Sequence, residues 1–317
     1  MISRKSILAI FACGLLAIGL AACGDDGGGG SSDLSGTIRL DGSSTVFPFA
    51  QAAAELFNED NPNVKISVGE AGTSGGFEKF CAGETDISDA SRPIEPEEVD
   101  ACKKGGVSYS EIQVANDGIS ITTNPALEIS CLTTDQLKKL WVNTAVSNYS
   151  QLGKDADTGQ PLPDADVSLY GPGTDSGTFD YFTDVINGEE DVSRDDYQPS
   201  EDDNVLVEGV SGDENGLGYF GFSYYAQNQD KLNLVSVDDG KGCVAPSNET
   251  IQSGEYSPLS RPLFMYPGAD AIQKPEVKAY MQYVVDNYDT IAEQAQIVPM
   301  DSSQASEASS ALDKATG

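Results

Sequence analysis

The apolar positions of this chain fall into short runs that change period several times. Residues 37–40 form a β-type run, and the Gly/Ser/Thr stretch 42–45 ends it. Phe49, Ala52, Ala53, Leu56 and Phe57 then recur at helical spacing until Asn61-Pro62 stops them. Residues 64–68 alternate as a strand does, Phe77, Phe80 and Cys81 open another helical face, and residues 86–90 read as a short strand closed by Pro93. Strand, loop and helix in repetition predict an α/β domain with helices covering a sheet.

Further along, residues 118–123 and 167–170 read as strands and residues 133–142 as a capped helix. Phe179, Phe182, Val185 and Ile186 form an apolar helical stripe, and residues 274–295 read as one long helix or a pair. The Gly- and aromatic-rich stretch 216–225 reads as core packing rather than a stack for a ligand. Residues 301–317, rich in Ser and Ala, read as a frayed tail. No internal tandem repeat is visible.

The N-terminus has a different pattern. Arg4 and Lys5 precede an apolar run, residues 7–20, that suits a signal h-region and is short for a membrane span. It ends in Leu20-Ala21-Ala22-Cys23, similar to a bacterial lipobox in which Cys23 becomes the lipidated first residue. A Gly/Ser-rich flexible tether follows. The expectation is a signal peptide over 1–22, a lipid-anchored Cys23 and tether over 23–35, and an exported domain beyond.

Composition then excludes whole classes. The 317 residues carry 18 basic and 51 acidic side chains, a formal net charge of −33. Such a field repels nucleic acid, so no nucleic-acid partner is expected. Histidine is absent, which removes the Ser-His-Asp and Cys-His nucleophilic sites and His-ligated zinc. No metal, no cofactor and no enzymatic activity are expected. The acid-rich stretch 189–203 lacks EF-hand spacing and reads as a solvated surface.

Export makes disulfides tenable. Setting aside Cys13 and Cys23, Cys81, Cys102, Cys131 and Cys243 remain, which allow three pairings. Cys81–Cys102 is the local choice, worth about 3 kcal/mol for a loop of that length in the chain-entropy model. It would leave Cys131 for Cys243.

Three Ser/Thr/Gly loops each open a predicted helix: Gly42-Ser43-Ser44-Thr45, Gly72-Thr73-Ser74-Gly75-Gly76 and Thr174-Asp175-Ser176-Gly177-Thr178. Unpaired N–H groups and the positive end of the helix dipole favour an oxyanion there, and glycine lets the backbone approach it. Asp89-Ala90-Ser91-Arg92-Pro93 adds a guanidinium whose planar fork matches an oxyanion. With the whole-protein field opposed to anions, capture must come from local, desolvated hydrogen bonds. A nearby carboxylate would accept the proton of a protonated anion and reject sulfate.

Residues 41–57, 72–94, 170–182 and 204–225 together resemble the PstS-like phosphate-binding proteins, the extracytoplasmic receptors of bacterial ABC phosphate importers. The resemblance runs from about residue 36 to about residue 300. It implies a type II-like periplasmic-binding-protein fold of two α/β lobes, an interlobe cleft and two hinge crossings, near residues 114–116 and 261–264. Lobe one would be 36–115 plus 262–300, lobe two 116–261, and the tail 301–317. Phosphate would be held by Ser44, Thr45 and Val46, by Thr73 with Ser74, and by Ser176, Gly177 and Thr178. The ion would be passed to the membrane permease of an ABC importer, by a monomeric receptor.

Two positions depart from the family pattern. Pro172 stands where members carry an Arg, and Ser91 where they carry an Asp. Arg92 is the expected substitute for the cation, held by Asp175. Asp89 and Asp175 are the candidate proton acceptors. The alternative ligands are sulfate, molybdate or a phosphorylated organic anion, and the rival roles are adhesin or sensor partner.

Overall fold

The computed structural model describes residues 34–174 and 176–317. The leader, Cys23, most of the tether and Asp175 lie outside the described residues. Two sheets, each with its own core, share one strand.

The first half begins β1 (Gly36–Gly42), α1 (Phe47–Asp60), β2 (Val64–Val68), α2 (Gly72–Cys81), β3 (Ile87–Ala90) and α3 (Pro96–Gly105), then enters β4 (Ile112–Thr123). β1 pairs in parallel with β2 and β3. The start of β4 belongs to this sheet, and its end, Ile119 to Thr123, pairs antiparallel with β8 (Gly216–Gly221) of the second half.

The second half comprises β5 (Cys131–Thr133), α4 (Thr134–Val142), β6 (Ser168–Gly171), α5 (Gly177–Phe182), β7 (Gln198–Pro199), α6 (Asp203–Gly212), β8, α7 (Phe222–Gln227), β9 (Asn233–Asp238), β10 (Cys243–Val244) and α8 (Asn248–Gln252). β11 (Ser260–Pro267) then returns between β3 and β4, antiparallel to both. The chain closes with α9 (Pro275–Asp286), α10 (Tyr288–Ala295) and α11 (Ser302–Thr316) on the first half.

Each half has a separate apolar core. The first gathers Ile38, Phe49, Phe57, Val114, Leu263, Tyr280 and Val284 between its sheet and helices. The second centres on Trp141, fully buried between Phe182, Tyr197 and Tyr219. Tyr219 stacks on Phe182 at 3.9 Å between ring centroids. Such aromatic pairs add about 0.5–1.5 kcal/mol each beyond area burial. The Gly- and aromatic-rich stretch therefore packs the core.

The frayed tail is corrected: residues 302–316 are helical. Asp301 caps α11, accepting from Ser303 N and Gln304 N at 2.8 Å each. Ala308 and Leu312, four apart, bury one face in the first core. Two of three possible pairings are excluded by the bridges Cys81–Cys102 and Cys131–Cys243. In the acidic stretch Arg194 is buried, donating to the Leu140 and Val146 carbonyls and pairing with Asp196. This anchors what composition alone presents as a solvated surface.

Candidate functional site: a cleft where both halves meet

A cleft of 510 Å³ opens between the halves. Ser43, Ser44 and Thr45 line it from the turn before α1, residues 71–75 from the first turn of α2, and Ser91-Arg92-Pro93 from the end of β3. Gly177, Asp180, Tyr181, Asp184 and Glu190 line it from the second half, Arg261 and Pro262 from β11. The expected residues Ser44, Thr45, Thr73, Ser74, Ser91, Arg92 and Gly177 are thus brought together.

The first turn is pinned to the sheet: Ser43 N donates to Asp89 O at 2.9 Å, and Thr45 N to Ser43 Oγ at 3.2 Å. Val46 does not line the cleft. Its side chain is fully buried in the first core, and its N–H donates to Ser43 O at 3.1 Å. In the second turn, Thr73 Oγ1 accepts from Ser91 N at 3.2 Å and shares a proton with Ser91 Oγ at 3.1 Å. In the third, Ser176 caps α5 by accepting from Thr178 N at 3.2 Å. Ser176 and Thr178 are not among the lining residues, and Gly177 is the residue of this turn that faces the cleft. A Cβ there would stand 2.5 Å from Ser44 Oγ, 2.6 Å from Thr45 Oγ1 and 3.0 Å from Thr45 N, so a larger residue must turn those hydroxyls aside and crowd the turns where the two halves meet.

Arg92 is clamped among the described residues by acids of its own half, and the expected partner Asp175 lies outside them. Its Nη1 and Nη2 donate to Glu98 Oε2 and Oε1 at 2.9 and 2.8 Å, and Nη2 also to Ser74 Oγ at 3.0 Å. Glu98 sits in the first turn of α3, where it also accepts from Glu95 N at 2.9 Å. The fork-to-fork hydrogen bond with Glu98 raises the guanidinium above its already high range. Among the described residues the carboxylates that hold Arg92 are Glu98 and, at 3.4 Å from Nε, Glu95, both passed over by sequence reasoning.

Asp89 is not in the cleft either. It is fully buried in β3, and neither carboxylate oxygen has a hydrogen-bond partner among the described residues. Burial, reinforced by the Asp41 charge, pushes its pKa well above the usual carboxylate range.

The second cation of the cleft is Arg261. Its side chain is 13% exposed, against 29% for Arg92, so its charge is the less screened. Its Nε donates to Asp117 Oδ2 at 3.2 Å, and Nη2 to Thr45 Oγ1 at 2.6 Å and Gly177 O at 3.3 Å. The guanidinium carbon lies 3.7 Å from the Tyr181 ring centroid. A signal existed in the sequence: Ser-Arg-Pro occurs at 91–93 and again at 260–262. Among the described residues no group of acidic or sulfur ligands is arranged to hold a metal ion.

Two α/β halves joined by crossing strands around a hydroxyl- and arginine-lined cleft define a binding protein of the periplasmic type. Residues 28–287 match the family model for the PBP superfamily domain. The chain is 37% identical over 301 residues to the phosphate-binding protein PstS of Staphylococcus saprophyticus, covering 94% of this chain and 91% of that one. It is 40% identical over 288 residues to Protein SphX of Synechocystis, covering 90% of this chain and 83% of that one. The crystal structure of a possible phosphate binding protein from Planctomyces limnophilus matches with TM-score 0.81 and 43% identity, over 90% of this chain and 100% of that one. The chain belongs to the PBP superfamily and, within it, to the PstS family of substrate-binding receptors.

Proposed function

We propose that this protein binds inorganic phosphate in the cleft, outside the cytoplasmic membrane, and delivers it to the permease of an ABC importer. The observation that carries the reading is the convergence of Ser44-Thr45, Thr73-Ser74 and Gly177 on one cavity with Arg92 and Arg261 in its wall. Hydroxyls, helix-terminal N–H groups and guanidinium forks are the donors a tetrahedral oxyanion needs. At a net charge of −33 the donors must act locally.

Ser176 and Thr178 would contribute once the third turn rearranges around the ion, and Asp175 adjoins them in sequence. The lobes would be 36–115 with 262–300, and 116–261, moving about the β4 and β11 crossings. α11 rides with the first. The receptor acts as a monomer, performs no chemistry, and is tethered by lipid at Cys23.

Equilibrium dialysis against labelled phosphate tests the binding. Saturable one-to-one uptake supports it, and uptake no greater than that of serum albumin sinks it. Membrane fractionation tests the tether: Cys23→Ala releases the protein, whereas retention of that variant on membranes refutes lipidation.

A further inference from the structure

We infer that Gln304 is a positioning residue: its carboxamide, clasped to Asn116 and Gln252 at the hinge, holds the two halves in the arrangement that closes the cleft. The inference rests on the phosphate reading for its ligand and adds a third tie to the β4 and β11 crossings.

The tie begins between α10 and α11. Ile291 and Ala292 of α10 lie in the first core, Val298 in the second, and Met300 in the first again. The chain therefore dips into the second half and returns. On the way it pairs with the crossing strand β4: Asn116 N donates to Val298 O at 2.8 Å, and Val298 N to Asn116 O at 3.2 Å.

Side-chain amides lock this contact. Asn116, 2% exposed, and Gln304 form a reciprocal pair. Asn116 Nδ2 donates to Gln304 Oε1 at 3.0 Å, and Gln304 Nε2 to Asn116 Oδ1 at 3.1 Å. Gln304 Nε2 also donates to Gln252 O at 3.0 Å, and Gln304 Oε1 accepts from Asp301 N at 2.9 Å. A carboxamide offers two donors and two acceptor sites, so Gln304 is fully engaged. Gln252 answers with Nε2, which donates to Pro299 O at 2.9 Å.

These bonds differ in what they span. Those to Asn116 sit on the crossing strand itself. Those to Gln252 join two bodies: α8, whose Ile251 packs in the second core, and the 299–304 segment, which leads into α11 on the first. Rotation about the crossings moves α8 against α11, so the Gln252 bonds belong to one arrangement of the halves and stretch in another. The arrangement that makes them is the one in which Arg261 reaches Thr45 and Gly177 O together. Arg261 and Pro262 line both the cleft and a 240 Å³ cavity beside Gln252 and Gln304, so clasp and cleft share a wall.

The consequence for binding is indirect. A ligand that needs the closed form binds more weakly as the closed fraction of the free protein falls. The clasp residues do not line the cleft. Their loss therefore weakens every ligand of the cleft by one factor and leaves the ratio between ligands untouched.

The test compares the full chain as wild type, Gln304→Glu and Gln252→Met. Gln304→Glu keeps the acceptor for Asp301 N and Asn116 Nδ2 and removes both donations, while Asn116 Oδ1 keeps Gln113 Nε2 at 2.9 Å. Gln252→Met removes only the bond to Pro299 O and leaves the α11 cap whole. Calorimetry with phosphate and with arsenate, at a temperature where circular dichroism shows each variant folded, reads affinity. Small-angle scattering without ligand reads opening. Gln304→Glu is expected to bind both anions about three- to tenfold more weakly at an unchanged ratio, and to scatter as a more extended particle than wild type. Gln252→Met should shift both readouts the same way by less. Wild-type affinity and scattering in folded Gln304→Glu overturn the inference. So do tighter binding, an altered ratio, or weakened binding without extension. If Gln304→Glu does not fold, Gln252→Met decides by the same criteria. A wild type that binds neither anion is the failure of the phosphate reading, and ligand-free scattering then decides the clasp alone.

Discussion

Arg261 Nη2 donates to the Thr45 hydroxyl at 2.6 Å, although 216 residues separate them. The same nitrogen reaches Gly177 O at 3.3 Å, so one guanidinium touches the first turn of one half and the third turn of the other. Arg261 is thus placed to report whether the halves have closed. Lysine would keep the charge and lose the fork. Arg261→Lys is expected to weaken phosphate binding by about 10- to 100-fold, about 1.4–2.8 kcal/mol, with little change in melting temperature. Calorimetry of the variant against wild type reads the effect, and wild-type affinity would remove Arg261 from the site.

Arg92 depends on Glu98 for its aim. Glu98→Gln keeps the shape and one acceptor but removes the charge behind the paired hydrogen bonds at 2.8 and 2.9 Å. Its expected cost in phosphate affinity is about tenfold, while Arg92→Ala costs more. The double variant should cost no more than Arg92→Ala alone, because Glu98 acts through the arginine. Additive losses in a double-mutant cycle would show that Glu98 acts independently.

Gly177 allows the two turns to touch. Gly177→Ala places a methyl 2.5 Å from Ser44 Oγ and 2.6 Å from Thr45 Oγ1. The expected result is phosphate affinity reduced by about tenfold or more with unfolding stability nearly unchanged, because an open cleft relieves the clash. Small-angle scattering with saturating phosphate should then show the variant more extended than wild type. Identical scattering would contradict the closure.

Asp203 makes folding sensitive to pH. Burial, with Asp202, Asp117 and Glu201 nearby and the Gly221 N–H opposing, pushes it from 3.8 up to about 7. The folded state therefore holds a proton that the unfolded chain gives up. This contribution to stability is full below pH 4, falls as pH rises from about 4 to about 7, and is lost above. Asp180, raised to about 6, slopes the same way. Asp203→Asn is expected to flatten the fall in denaturant midpoint across that window, and an unchanged slope would show that Asp203 titrates normally.

What the sequence disclosed was local. The strand at residues 64–68, the helix stopped by Asn61-Pro62 and the Ser/Thr/Gly turns follow from periods and breakers within a few residues. What it hid was non-local or context-dependent. Arg261 reaches the cleft only because β11 returns between β3 and β4, a topology no local period encodes. Glu98 was one of many acids until α3 turned it onto Arg92. Asp89 differs from a cleft acid by its complete burial within β3. The terminal helix was masked by its Ser/Ala composition, although Ala308 and Leu312 carry the spacing that docks it.

Calorimetric titration of the ligand-stripped protein with phosphate, then sulfate and molybdate, tests the central claim most directly. The account predicts one phosphate per chain, bound tightly, with no competing heat from sulfate at pH 8. Heat from sulfate or molybdate with none from phosphate would contradict it.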